Sequence, residues 1–340
     1  MSRALFTALA LLLVCAGAVA STASARVALV ATGKAQLALV DVGTDRVVAR
    51  LAMPATARAV AVSADGRRGY VAAGATVVEI DVNERTELAR RAPGSGAISA
   101  LAVSPNAKRV YAVQGRWLRV LEAGTLRLLA SIGLGGRGRT ISLRSDGRLA
   151  AVVLAGGHVA MVDPRKRRLL RRVLVPGAVG VAAGNGGRTY VSARGRLRTI
   201  SRGARQPRPR TVALPRGAGG NLALSPGRTR LAVGARADGY SGALVFLGST
   251  RVRRLAAGAG LGTPAWTTDA ARILFANRGT GSLSLVSPRA GRRLDVVRLA
   301  GAAPADIVVQ PGLALLRGSA GDDTLIGTRG PDRILSLIHI

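Results

Sequence analysis

The chain has 340 residues and a formal net charge of +33, since 50 basic residues, only three of them lysine, face 17 acidic residues. Cys15 is the only cysteine, which excludes a domain held together by internal disulfides. A hydrophobic share of 48% and 44 glycines, with little helical spacing, favour short buried strands joined by tight turns. The excess of arginine over lysine, with abundant Ala, Gly and Val, is typical of GC-rich coding, so the charge informs on association and solubility and not on fold.

Residues 1–25 have the pattern of a secretory signal peptide. Arg3 supplies the positive charge, residues 4–15 form an apolar run, and Ala20 and Ala25 end two small-x-small sites that a signal peptidase could cleave. Val14 before Cys15 disfavours lipidation, because lipoprotein signals need a small residue there. No later stretch is long and apolar enough to span a membrane. We therefore expect a secreted protein, extracellular or associated with the cell envelope.

A repeat of about forty residues follows the leader. Seven copies of a turn, each after a short apolar strand, recur at steps of 41, 40, 39, 42, 42 and 43 residues. The residues that mark these turns are Asp65, Asn106, Asp146, Asn185, Gly227, Asp269 and Gly312. A period of this length is typical of β-propeller blades.

Within one period the sequence predicts four strands. In the second copy these are residues 60–63, 69–73, 77–82 and 87–91, and the Asp65-Gly66 pair lies in the first turn. Asp-Gly between two apolar runs is a strong hairpin signal, because both positions tolerate positive φ. Four short strands per period predict the blade of a propeller.

The two ends of the repeat region complement each other. Residues 26–51 match the last three strands of a blade, and residues 305–309 match a first strand. Joining them completes a seventh blade and covers sheet edges that would otherwise be open to aggregation. We therefore predict an all-β fold over residues 26–314: a seven-bladed β-propeller with six full blades and one closed by both termini.

The residues of the first blades resemble a known repeat. Residues 27–33, 39–44 and 47–51, together with 61–67 and 70–74, are similar to the YVTN-type, WD40-like propeller repeat, whose usual form runs Tyr-Val-Thr-Asn, Val-Ile-Asp and Ser-Pro-Asp-Gly-Lys. The Gly-His and Trp-Asp dipeptides of WD40 blades themselves are absent. The resemblance implies a binding scaffold in most cases and an enzyme such as a lactonase in a minority, and likeness of fold does not decide between them.

Residues for catalysis are scarce in this sequence. Apart from His339, His158 is the only histidine, and one histidine makes neither a histidine-rich metal site nor a supported serine triad. The acids recur at turns and strand ends, where carboxylates bond to local backbone amides: Asp41, Asp65, Asp81, Asp146, Asp163 and Asp269. We predict no catalytic residues and a non-enzymatic binding protein. The alternative is a lactonase-like hydrolase using the axial pocket.

The arginines form the second functional signal. Residues 164–237 contain 18 basic residues and no acidic one, with the densest runs at 165–168 and 171–172, near turns between third and fourth strands. A different set lies on turns between second and third strands and in loops between blades, where it predicts a positive funnel for an anionic ligand such as an acidic wall glycopolymer. The five residues that we select as the candidate anion site are Arg116, Arg194, Arg196, Arg236 and Arg278. Lys34, Arg58, Arg137, Arg139 and Arg216 accompany them.

Two other interpretations of the arginines stay open. Their aliphatic stems cover apolar surface when the heads lie in water, which needs no ligand. A polyanion bound by the whole arginine surface would give a steep salt dependence. We expect no nucleic-acid partner, because Trp117 and Trp266 do not form a stacking pattern, and we expect a monomer.

After residue 314 the period changes to nine. Over residues 315–334, two units repeat Gly, Gly, Asp and an aliphatic residue. They resemble the calcium-binding nonapeptide of RTX (hemolysin-type) proteins, which implies a short, truncated segment of parallel β-roll that binds Ca²⁺. By this resemblance Asp323 and Asp332 are carboxylate ligands and Asp322 a helper. The turn glycines are Gly318, Gly321, Gly327 and Gly330.

That segment departs from its pattern at Ser319 and Thr328, which replace the second glycine of each unit, and the alternative is a flexible Asp-Gly tail. Residues 335–340 break the repeat, and they match one translation of a transposase adaptor used in sequencing. We therefore expect that the reading frame ran off a fragment and that further repeats follow in the native gene.

Overall fold

The computed structural model describes residues 26–201, 210–236, 239, 241–258, 260, 263–311, 314–317 and 332–335. These residues form strands and no helices. The first fifteen strands are β1 (Val27–Lys34), β2 (Gln36–Asp41), β3 (Arg46–Ala52), β4 (Ala57–Val62), β5 (Arg68–Ala73), β6 (Thr76–Asp81), β7 (Thr86–Arg91), β8 (Ile98–Val103), β9 (Arg109–Gln114), β10 (Trp117–Glu122), β11 (Leu128–Gly133), β12 (Gly138–Leu143), β13 (Ala150–Leu154), β14 (His158–Asp163) and β15 (Arg168–Leu174). The others are β16 (Ala178–Ala183), β17 (Arg188–Ala193), β18 (Arg196–Ser201), β19 (Arg210–Ala213), β20 (Ala218–Leu224), β21 (Arg230–Ala235), β22 (Gly242–Phe246), β23 (Val252–Leu255), β24 (Thr263–Trp266), β25 (Ile273–Asn277), β26 (Ser282–Val286), β27 (Arg293–Arg298), β28 (Asp306–Val309), β29 (Ala314–Arg317) and β30 (Asp332–Leu335).

Twenty-eight of these strands form seven four-stranded antiparallel sheets, the blades of a propeller. Blade 1 has the order β28-β1-β2-β3, and blades 2 to 7 each use four consecutive strands from β4 to β27. The first strands of neighbouring blades contact each other in a closed circle: β4, β8, β12, β16, β20, β24, β28 and again β4. These strands therefore surround the axis, and the predicted seven-bladed all-β fold is confirmed.

Both ends of the repeat region build blade 1, as the sequence predicts. β28 pairs antiparallel with β1, with Ala28 opposite Val309 and Ala31 opposite Asp306. The Gln310 side chain extends the closure: its Oε1 accepts from the Val27 amide at 3.2 Å, and its Nε2 donates to the Gly66 carbonyl at 2.9 Å in blade 2. One buried side chain thus connects both ends of the propeller to the next blade.

The core lies between the blades. The middle strands are sandwiched between neighbours, so strands such as β2 and β6 are buried over four consecutive residues, whereas the outer strand β15 alternates between exposed and half-buried positions. Between blades 1 and 2, for example, Leu29 and Leu39 pack with Val71 and Ile80. Each such side chain contributes roughly 1.5–3 kcal/mol of burial free energy, so the inter-blade contacts hold the ring together.

The repeated Ser-x-Asp turns have a local structural role. In blade 2 the Ser63 hydroxyl donates to Asp65 and accepts from the Arg68 amide at 3.0 Å, and the Asp65 carboxylate accepts from the Arg67 amide at 3.1 Å. The predicted binding of turn carboxylates to local amides is confirmed in all six cases, with the amides of residues 43, 67, 83, 148, 165 and 271 among the donors. These acids are therefore explained by the turns.

Candidate anion-binding face and axial channel

Successive turns of a blade lie on opposite sides of the propeller, because its strands alternate in direction. We call face A the side with the turns between second and third strands and the loops between blades. Face B is the side with the first-to-second and third-to-fourth strand turns. Hydrogen bonds agree with this assignment: on face A the Gly74 amide donates to the Thr56 carbonyl, and on face B the Arg165 side chain donates to the Asp146 carbonyl.

All five arginines of the candidate anion site lie on face A. Arg116 belongs to blade 3, Arg194 and Arg196 to blade 5, Arg236 to blade 6 and Arg278 to blade 7, and all five are exposed. The structure therefore divides the predicted set: blades 5 and 6 are neighbours, whereas blade 4 separates Arg116 from Arg194. Lys34, Arg58, Arg137, Arg139 and Arg216 are exposed as well.

Glycines bring the arginines of blades 5 and 6 close to the backbone. The two-residue turn Arg194-Gly195 has φ angles of 49° and 70°, and the Arg194 side chain packs over Gly177, where a Cβ would come within 2.7 Å of its Cγ. A Cβ on Gly219 would lie 3.4 Å from the Arg236 Cγ and 3.7 Å from the Gly195 Cα. The turn that carries Arg194 and the Arg236 side chain therefore both lie beside Gly219.

These positions leave donors available for a ligand. Among the described residues, the guanidinium groups of Arg194 and Arg196 have no hydrogen-bond or ion-pair partner. An arginine fork binds carboxylate or phosphate oxygens with two parallel hydrogen bonds. The blade 5–6 part of face A thus has the chemistry of an anion site.

Arg278 belongs to blade 7, next to blade 6, and lines a groove of about 1260 Å³ between blades 7 and 1. Arg293 and Arg298 from the outer strand β27 line the same groove. Asn277 at its wall is buried and donates from Nδ2 to the Ser284 hydroxyl at 2.7 Å, while its Oδ1 has no hydrogen-bond partner among the described residues. This groove therefore offers a buried acceptor among cations, unlike the site on blades 5 and 6.

The axial channel contains a residue that the sequence did not single out. Asp306 begins β28, and its Oδ2 accepts from the Val60 amide of blade 2 at 3.1 Å, while its Oδ1 accepts from the Ile307 amide at 3.0 Å. Burial raises the pKa of Asp306 to about 7, although these two hydrogen bonds act to lower it. Arg58 and Arg139 sit on bulges of inner strands at the channel mouth, but neither guanidinium pairs with this carboxylate.

The other blades have small or neutral residues where blade 1 has Asp306. Counted back from the first turn of each blade, the equivalent positions hold Ala59, Ala100, Thr140, Gly180, Asn221 and Thr263. Asn221 donates to Thr263 at 2.9 Å, and Thr263 donates to the Ala305 carbonyl at 3.3 Å, which extends the polar arc to the neighbour of Asp306. An aspartate at a position where the other blades have small or neutral residues is the sequence signal that distinguishes Asp306.

The predicted calcium ligands Asp322 and Asp323, and the glycines Gly318, Gly321, Gly327 and Gly330, lie outside the described residues. Asp332 begins β30, which pairs in parallel with β29 so that Ala314 lies opposite Asp332. Among the described residues no group of three His, Cys, Asp or Glu side chains could hold a metal ion. The same part of the chain has no helix that is long and apolar enough to cross a membrane.

Comparison with known proteins supports the fold and nothing finer. No family model and no curated protein matches the chain. Among solved structures it is similar to a functionally unknown protein from Desulfotomaculum acetoxidans DSM 771, with 12% sequence identity and a TM-score of 0.71. The similarity covers 85% of this chain and 99% of that one. The protein is therefore a seven-bladed β-propeller, and its resemblance to YVTN-type and RTX repeats stays a prediction.

Proposed function

We propose that this propeller is a secreted, non-catalytic binding protein, extracellular or attached to the envelope, that holds an anionic ligand on face A. The supporting observation is that the blade 5 turn and the Arg236 side chain both lie beside Gly219. Arg194, Arg196 and Arg236 all lie on face A, and residues 164–237, which include them, contain no acidic residue. A carboxylate-bearing envelope polysaccharide fits this surface, because arginine forks recognise carboxylates in pairs of hydrogen bonds.

The test is charge reversal of the three arginines, with polygalacturonate as the probe and calorimetry as the readout. We expect the Arg194→Glu, Arg196→Glu, Arg236→Glu variant to bind at least tenfold more weakly than the wild type. The control reverses Arg50, Arg85 and Arg91, which are exposed on blades 1 and 2, and it has the same net charge. Equal losses in both variants would mean that net charge alone attracts the polymer, and no loss in the first would refute the site.

We also propose that the C-terminal nonapeptides bind Ca²⁺. The supporting observation is the register of β29 and β30, in which each residue pairs with the one eighteen positions later. Eighteen residues are two nine-residue periods, so the chain returns to an equivalent position after two repeats, as a parallel roll requires. Oxygen ligands from Gly-rich turns and aspartates suit this cation, and extracellular calcium modules work at millimolar affinity.

Calcium titration of the full chain tests this second proposal. We expect calorimetry to show binding at millimolar affinity or tighter, and circular dichroism to show added β structure. The Asp323→Asn, Asp332→Asn variant should lose both signals. A control with Asp65→Asn and Asp269→Asn, which removes two propeller turn carboxylates, should keep them. Absence of binding, or equal binding in both variants, would leave these repeats as a linker.

A further inference from the structure

A basic cavity lies on face B, on the side opposite to the proposed ligand face. It has a volume of about 570 Å³ and lies at the edge of blade 4, with Gly187 from the first turn of blade 5 at its rim. Six basic side chains line it: Arg144, Arg148, Arg165, Lys166, Arg168 and Arg171. They come from two separate segments of the chain, residues 144–148 and 165–171, so the fold and not the sequence run alone concentrates the charge here.

Three of these arginines are held in place by the protein. Arg144 takes the position that serine or threonine has in four other blades. Its guanidinium binds both carboxylate oxygens of Asp146, from Nε to Oδ1 at 2.8 Å and from Nη2 to Oδ2 at 2.7 Å. These hydrogen bonds lower the pKa of Asp146. Arg165 donates to the Asp146 carbonyl at 2.7 Å, and Arg171 donates to the Ser201 carbonyl of blade 5 at 3.0 Å. Each guanidinium has five N–H donors, so these anchors leave donors for a ligand.

The other three cations are exposed. The side chains of Arg148, Lys166 and Arg168 form no ion pair or hydrogen bond with the described residues. Among the described residues that line the cavity Asp163 is the only carboxylate, and its Oδ1 already accepts from the amides of Arg165 and Lys166. Like charges held together in a concave site attract counter-ions more strongly than the same charges spread over a flat surface.

The floor of the cavity is apolar. Leu149 and Met161 are buried there, and Leu170 at the edge is 44% exposed. Among the described residues, blade 5 contributes only Gly187 to the rim, from a first turn that reads Gly184-Asn185-Gly186-Gly187 where blade 2 has Ser-Ala-Asp-Gly. The walls are therefore charged, and the floor excludes water from one side.

We propose that this cavity is a second anion site, which binds a linear chain of phosphate groups such as inorganic polyphosphate. Three anchored guanidinium groups and three exposed cations within one cavity match a ligand whose charges follow each other at every phosphorus. A polyuronate carries one charge per sugar ring and matches this density poorly. The bidentate geometry of arginine suits phosphate oxygens, and Lys166 adds a point charge. The site is independent of the ligand proposed for face A.

Calorimetry with inorganic tripolyphosphate and a longer polyphosphate tests the proposal. We expect the Arg148→Gln, Lys166→Gln, Arg168→Gln variant to bind at least tenfold more weakly, with a shallower dependence of affinity on salt because fewer counter-ions are released. The three residues are exposed, so the variant should keep the unfolding temperature of the wild type. The matched control is Arg50→Gln, Arg85→Gln, Arg91→Gln on blades 1 and 2, which removes the same number of charges outside both proposed sites and should keep wild-type affinity for polyphosphate. Equal losses in both variants, or none in the first, would overturn the assignment.

Two further probes test the ligand class. The face B variant should bind polygalacturonate as tightly as the wild type does. This result would show that the face B site can fail independently of the face A proposal. A thymidine oligonucleotide with the same number of phosphates should bind more weakly than polyphosphate, because its phosphates are farther apart. Tighter binding of the oligonucleotide would replace the proposed ligand with nucleic acid.

Discussion

The raised pKa of Asp306 predicts an unusual dependence of stability on pH. Its pKa is about 7 in the folded protein against an ordinary value of 3.8, so the folded state binds a proton more tightly than the unfolded chain. Stability contributed by this group is therefore complete below pH 4 and decreases as the pH rises to about 7. Above pH 7 both states are ionised and the loss is constant.

The size of the effect follows from the two pKa values. A difference between about 7 and 3.8 corresponds to a ceiling of about 4 kcal/mol in the free energy of unfolding. The carboxyl group is densely surrounded, yet the residue keeps part of its surface on the channel, and water there lessens the cost of ionisation. We therefore expect a loss of about 2 kcal/mol between pH 4 and pH 8.

Two substitutions isolate the carboxyl group from other titrating residues. Asp306→Asn stays neutral and keeps an acceptor for the Val60 amide. Its free energy of unfolding relative to the wild type should therefore rise with pH, by about 2 kcal/mol between pH 4 and pH 8. Asp306→Ala removes the same titration and both amide hydrogen bonds. Its free energy of unfolding relative to the wild type should show the same rise with pH, but should be lower than that of Asp306→Asn at every pH.

Urea denaturation at pH 4 to 8, followed by circular dichroism, gives these free energies. The reasoning predicts that the difference between Asp306→Asn and the wild type grows with pH and levels off above pH 7. A difference that is constant over this range would refute it, because the Asp306 carboxyl would then have the same pKa in the folded and unfolded states.

Three shorter predictions concern the closure of blade 1, the ion pair of Asp146 and the turn at Arg194. Gln310→Leu leaves the Val27 amide and the Gly66 carbonyl without their side-chain partner, so urea denaturation should show a loss of about 1–3 kcal/mol; an unchanged midpoint would contradict the role of Gln310 in closure. Asp146→Asn should destabilise the protein by about 1 kcal/mol at pH 7. Because the pKa of Asp146 is lowered in the fold, this difference should disappear as the pH falls below 4, and a constant difference would exclude the ion pair as its cause. Arg194→Gly relieves a φ of 49° and should leave stability equal or raise it by up to about 1 kcal/mol; a clear loss in a thermal melt would show that the Arg194 side chain stabilises the turn.

Most of the fold follows from local signals in the sequence. The spacing of Asp65 and its six counterparts gave the number of blades, because a turn and the apolar strands beside it depend on neighbouring residues only. For blade 2 the predicted strands agree with β4 to β7 to within a few residues at each end. The closure of blade 1 was also predictable, since residues 26–51 lack a first strand and residues 305–309 supply one.

The candidate sites were less predictable. The sequence placed Arg116, Arg194 and Arg278 on equivalent turns, but equivalent turns of different blades are distributed around the ring, so only some of these residues become neighbours. Asp306 was part of a predicted strand, and nothing local indicated that its carboxylate would meet the Val60 amide from the other end of the chain. The calcium ligands depend on the nonapeptide resemblance and stay a prediction.

The sequence by itself thus determined the architecture: seven blades of four strands, their turn chemistry and the joining of both ends. Those features arise from contacts along one strand or across one turn, and the same pattern occurs seven times in the sequence. Only the tertiary structure decided which charges share a surface. The cavity on face B combines Arg144 and Arg148 from one turn with Arg171 from an outer strand and Gly187 from the next blade. The distances between such segments are set by the packing of whole blades around the axis, and no local pattern in the chain encodes them.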